Sequence, residues 1–181
     1  MHGLFFDVLP KPGHMPHYFA HVDRLKPILD RHRGLVYLER FRPLDEAGAL
    51  LSHQLWEDEA AIAEWRREAT HRASQSAGRR VHFEAYRIRV GPQELHLPGA
   101  GTIPEGAGRF LVVSYASAPA GKGRIFESVT RPGHFMTLAE AREGRSAHNM
   151  AVQAQVDGAR ETRLFRIARD YTMTDRAEAP A

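Results

Sequence analysis

The sequence predicts an α+β fold in which an antiparallel sheet carries its helices on one face, and three observations predict it. Residues 1–90 read strand, helix, strand, strand, helix, strand, the order of a split βαβ unit. Residues 109–173 echo that order in a shortened form. Between them, residues 91–108 hold five glycines and three prolines, which marks a linker. A degenerate tandem repeat follows, with a flexible tail over residues 174–181. The sheet face without helices needs a cover, from the other half or from a second copy of the chain.

Each element has its own signal. Leu4 to Leu9 is a short apolar run closed by Pro10-Lys-Pro-Gly13. From Pro16 to His32, Tyr18, Phe19, Val22, Leu25, Ile28 and Leu29 trace a helical stripe, with Pro27 inside it as a kink point. Gly34 stops that helix, and Leu35 to Phe41 alternates as a strand. Gly48 to Trp56 is a third strand, and Glu57-Asp58-Glu59 places acid where a helix N-terminus favours it. The spacing predicts one helix over residues 59–77, since Ile62, Trp65, Ala69 and Ala73 recur on one side and Gly78 stands at the capping position. His82 to Val90 mixes aromatic and β-branched residues with charges, as a half-wet strand does.

In the second half, residues 109–115, 125–130, 134–138 and 162–170 are expected strands and residues 139–156 an expected helix. The segment from Pro119 to Gly123 is too short for a helix, so this half has lost its first one. Tyr86-Arg87-Ile88 after the first Gly-ended helix is echoed by Phe165-Arg166-Ile167 after the second, and His71 by His148.

Composition excludes several function classes. With 25 basic and 22 acidic residues interleaved, the formal charge is only +3, so the concentrated positive stripe that tracks phosphates is missing and nucleic acid is not an expected partner. There is no cysteine, hence no disulfide, thiolate metal site or cysteine nucleophile. No 18-residue apolar window or secretory leader is visible, and a cytoplasmic location is the expectation. No serine sits in a nucleophile elbow, and no glycine loop precedes a helix as phosphate binding requires.

The most informative string is Trp56-Glu57-Asp58-Glu59 at a strand-to-helix junction, followed by Trp65, His71, Gly78-Arg79 and Tyr86. It resembles the antibiotic biosynthesis monooxygenase superfamily over residues 34–90. The resemblance implies ferredoxin-like units forming a dimeric α+β barrel, here as a pseudo-dimer within one chain, with a homodimer also open. It further implies oxygenation of an electron-rich aromatic or polyketide-like small molecule without metal or other cofactor. Trp56 matches the strand-end tryptophan of the polyketide monooxygenases, but their asparagine four residues earlier and tyrosine six residues later are Ser52 and Ile62 here. Haem-degrading relatives use a helix tryptophan, which Trp65 matches, and an iron-ligating histidine where this chain has Gln75, an amide poorly suited to iron. A non-catalytic binding or stress-associated barrel is the alternative, and haem handling the third.

Within the resemblance, Trp56 and Trp65 shape a cavity, His71 accepts or relays a proton, and Arg87 or Tyr86 orients a developing oxyanion. On a straight helix His71 lies about 120° from Trp65, at the flank of the stripe. Strand alternation puts Arg87 and Arg89 on one face with Phe83, and Tyr86 and Ile88 on the other. His53 reads as a core histidine satisfied by a hydrogen bond. His14, His17 and His21 have helical spacing but no completing carboxylate, so a metal is not expected there.

Overall fold

The computed structural model describes residues 1–180. The first half contains β1 (His2–Pro10), α1 (Met15–Leu29), β2 (Leu35–Pro43), β3 (Leu50–Trp56), α2 (Glu59–Arg67), α3 (Ala69–Ala77) and β4 (Phe83–Leu97). The second contains β5 (Ala107–Ala116), β6 (Arg124–Ser128), β7 (Phe135–Glu143), α4 (Gly144–Val156), β8 (Glu161–Arg166) and β9 (Arg169–Thr172). The strands run β4-β1-β3-β2 in the first half and β8-β5-β7-β6 in the second, the same antiparallel order twice. The helix between the first two strands is missing from the repeat, as the sequence predicts.

The halves join along two seams. β2 pairs with β6 from Phe41 opposite Ser128 to Pro43 opposite Phe126, and the end of β4 pairs with β8. With β1 beside β4, eight strands close into a barrel within one chain. Its interior is packed by buried apolar side chains from both halves, among them Phe5, Phe41, Leu51, Phe126, Met136 and Phe165. Closure removes the exposed edges that a single four-stranded unit would present.

At the β2–β6 seam the buried Glu39 carboxylate accepts from Ser128 Oγ at 2.5 Å, Arg131 Nε at 2.8 Å and the Tyr37 hydroxyl. Burial pushes the Glu39 pKa up, but these donors outweigh it and hold the group below its usual range.

Several expected boundaries shift, each for a local reason. The helix over residues 59–77 is two helices, because Glu68 is extended (ψ 128°) and its carboxylate caps the His71 amide at 2.6 Å. Gly78 is right-handed helical rather than a left-handed cap, and the chain continues through a π-turn to His82. β4 runs through the expected linker as far as Leu97. It passes β8 so closely at Gly91 that a Cβ there would lie 1.9 Å from the Arg166 carbonyl oxygen. Residues 139–143, expected as helix, continue β7 because they pair with β5 at Phe110 to Val112, and pairing overrides propensity. The expected strand over residues 162–170 is divided into β8 and β9, and β9 lies along β4. The tail is tied down, since Glu178 takes two hydrogen bonds from Arg109 at 2.9 Å.

Candidate functional site

Strand alternation divides the first sheet. Leu51, His53 and Leu55 of β3 face the barrel interior, whereas Ser52, Gln54 and Trp56 face the helices. Between this outer face and α1, α2 and α3 lies a cavity of about 470 Å³, within the range of small-molecule sites. Leu4, Phe6, Ser52, Gln54 and Ile88 belong to its floor, Val22, Leu25, Ile62, Trp65 and His71 to its helical cover. Tyr171 and Arg176, from the far end of the chain, complete the wall.

Three of the five expected site residues line this cavity: Trp65, His71 and Tyr86. The break at Glu68 turns the His71 ring onto Trp65, with centroids 4.1 Å apart and planes within 16°. This corrects the flank position that a straight helix implies. His71 Nδ1 lies 2.9 Å from the Trp65 carbonyl oxygen. A carbonyl can only accept, so Nδ1 carries the proton and Nε2 is left as the acceptor nitrogen. Burial pushes the His71 pKa down to about 4, opposed by the Trp65 carbonyl and the Glu68 carboxylate, so the ring is neutral at pH 7.

Trp56 stands one layer behind, fully buried, 6.4 Å from Trp65. Its Nε1 donates to Gln54 Oε1 at 3.0 Å, and Gln54 Nε2 donates to Ser52 Oγ at 3.2 Å. The Tyr86 hydroxyl accepts from Arg176 Nη1 at 2.6 Å.

Arg87 does not join them. It projects to the opposite sheet face, where Asp170 takes bonds from Nε and Nη2 at 2.9 and 2.7 Å and Glu140 one from Nη1 at 2.9 Å. Those carboxylates raise its pKa further. Arg89 is held likewise by Asp7 and Glu140. These pairs line a second recess of about 540 Å³ at the barrel end, where the two arginines are already matched by acids. Phe83 departs from the face it was assigned. The register slips between Leu9 and Pro10, so Phe83 packs with Phe6, Tyr18 and Tyr86 on the helix side.

His53 is in the core but makes no hydrogen bond. It stacks on Phe5 at 4.5 Å inside the barrel, and burial lowers its pKa to about 3. His14 and His17 gather with His21 around His82, which the spacing did not reveal. His14 Nδ1 is 3.0 Å from His82 Nδ1, and His17 stacks on that ring at 4.9 Å. Among the described residues no set of three His, Asp or Glu side chains is arranged to hold a metal.

Sequence reasoning missed Gln54, Tyr18, Arg40 and the His21–Ser74 pair at 3.1 Å, all of which line the cavity. The alternation of β3 carried the signal for Gln54. The others come from elements distant in the chain. No helix is long and apolar enough to cross a membrane.

Residues 1–77 match the family model described as antibiotic biosynthesis monooxygenase. A protein from Pyricularia oryzae named jasmonate monooxygenase is 26% identical, with 99% of this chain and 97% of that protein aligned. A solved structure from Lactobacillus acidophilus aligns over 95% of this chain and 96% of its own at a TM-score of 0.48 and 5% identity. A Shewanella oneidensis protein covers 49% of this chain and 86% of its own, at 0.43 and 20%. Likenesses at this level add nothing to the assignment. Residues 1–77 thus carry the likeness to the antibiotic biosynthesis monooxygenase family, and the strand order of that half is repeated in tandem in the second.

Proposed function

We propose that the chain is a monooxygenase that oxidises a small, largely apolar molecule inside the helix–sheet cavity of its first half, using dioxygen and no metal or flavin. One observation carries this reading: a neutral histidine, its tautomer fixed by a backbone carbonyl, sits at the wall of a cavity of about 470 Å³. The similar protein of Pyricularia oryzae is named a jasmonate monooxygenase, which supports an oxygenation reading.

The chemistry needs a substrate with an acidic C–H, such as a methylene flanked by conjugated carbonyl or phenol groups. His71 Nε2 takes the proton, and the Trp65 carbonyl and Glu68 carboxylate stabilise the imidazolium that forms. Both groups favour the charged ring, so the low resting basicity is offset as an ion pair develops. The carbanion passes one electron to dioxygen, and the resulting radicals combine to a hydroperoxide. Loss of water then leaves a carbonyl, so a methylene plus dioxygen gives a ketone plus water. Tyr86, its hydroxyl already accepting from Arg176, donates to the oxygen on which negative charge collects. Trp56 and the Gln54–Ser52 chain hold Trp65 and the floor in place.

Oxygen uptake with a hydroxyanthrone, by protein treated with chelator and freed of flavin, tests the reading. Expected is consumption of one dioxygen per ketone formed, falling by roughly 10²–10⁴ in His71→Ala. Product formed equally fast without oxygen overturns it. Tight binding with no oxygen uptake moves the assignment to a non-catalytic binding barrel.

A further inference from the structure

The charge around the cavity is one-sided. Arg40, Arg66, Arg72, Arg79, Arg80 and Arg176 line it, and no aspartate or glutamate does. In a chain with 25 basic and 22 acidic residues this asymmetry is local. The arginines of the barrel end and seams are matched by acids: Arg87 and Arg89 by Asp170, Asp7 and Glu140, Arg131 by Glu39, and Arg166 by Glu94. The six at the cavity have no such partner among the described residues. Arg72, Arg79, Arg80 and Arg176 are exposed at the rim, whereas Arg40 is half-buried on the sheet floor.

Arg40 is held in a way that leaves its fork free. On β2 it stands opposite Ser52 of β3, and its Nε donates to the Tyr18 hydroxyl at 3.2 Å. Tyr18 is itself buried. That bond uses the Nε side of the guanidinium, and neither Nη group bonds to protein. Two parallel N–H donors on a planar cation are the natural match for a carboxylate. The remaining wall, with Leu4, Phe6, Val22, Leu25 and Ile62, takes an apolar body.

We propose that the ligand of this cavity is a hydrophobic carboxylate, its head group gripped by the two Nη groups of Arg40 and its body lying toward Trp65 and His71, while the rim arginines draw the anion in. The inference rests on the cavity being the reaction site, and it names the substrate class of that site.

Binding measured under anaerobic conditions separates this inference from catalysis. 1-Naphthaleneacetic acid and decanoic acid are titrated calorimetrically into the full chain beside their methyl esters, which keep the apolar body and lose the charge. Each acid is expected to bind at least about tenfold tighter than its ester. Arg40→Gln should erase that preference, so that acid and ester bind alike. Arg40→Lys keeps the charge without the fork and should retain part of the preference, which distinguishes lost recognition from a misfolded variant. Arg79→Gln should slow association and weaken its salt dependence, with a smaller effect on affinity. Equal binding of acid and ester, or a preference that survives Arg40→Gln, overturns the carboxylate and leaves the cavity standing. Failure of every probe to bind overturns the cavity as a ligand site, and the proposed oxygenation with it. Binding with the expected preference supports the carboxylate whatever the separate oxygen-uptake assay with a hydroxyanthrone shows.

Discussion

The two halves share a strand order and differ in what their helices place against it. In the first half, aromatic side chains such as Tyr18 and Trp65 stand between sheet and helices, and a chamber remains beside them. In the second, α4 lies on the sheet through Ala147, Ala151 and Ala154, with Phe110, Val112 and Leu164 packed beneath. Small residues let a helix approach closely and leave no room, whereas large ones that meet at their tips hold the layers apart. The same topology thus yields a hollow unit and a solid one. The solid half serves as the sheet that covers the hollow half and contributes Tyr171 and Arg176 to its chamber.

Cutting the seam between the halves should have the largest effect. Glu39→Ala leaves the Tyr37 hydroxyl and Ser128 without their acceptor and Arg131 without its counter-ion, and should cost about 3 kcal/mol in chemical denaturation. A loss below about 0.5 kcal/mol would show that the barrel does not depend on this link.

Filling space sharpens the contrast directly. Ala151→Leu forces a larger side chain under α4, where exposure is 0%, and should cost about 1–3 kcal/mol. Val22→Leu, beside the chamber, should cost less than about 0.5 kcal/mol and weaken ligand binding instead. Equal destabilisation by both would deny the difference between the halves.

Acid stability offers a further contrast. The folded pKa of His71, about 4, lies below its unfolded value, so the folded state binds the proton less well than the unfolded state does. Its contribution is fully present above about pH 6.5 and is lost progressively as pH falls toward 4. Between about pH 7 and 5.5 that amounts to about 1 kcal/mol. His71→Phe should flatten this part of the stability profile, and denaturation midpoints at the two pH values check it.

The sequence carried the architecture further than the chemistry. Periodicity, the acidic run Glu57-Asp58-Glu59 at a helix start and Gly34 as a stop sufficed to place the first half, and the echo at Phe165-Arg166-Ile167 revealed the repeat. Trp65 and His71 were legible as residue types. Their stacking was not, because the break that produces it occurs at Glu68, with no glycine or proline to announce it. Arg87 was misjudged because alternation names two faces without saying which of them meets the helices. The contact of Arg40 with Tyr18 went unnoticed because it spans 22 positions and depends on how α1 crosses the sheet. Residues 139–143 misled in the opposite way, since Ala and Glu favour helix until a neighbouring strand supplies hydrogen bonds.

The placement of Tyr171 and Arg176 bears on how the protein comes into being. The chamber belongs mainly to residues of the first half, but part of its wall, Tyr171 and Arg176, comes from the second. The second half must therefore be made before the site is enclosed. A gene cut between the two repeats would yield a first fragment with an open chamber, and any lineage that separates the halves must find a substitute for Tyr171 and Arg176.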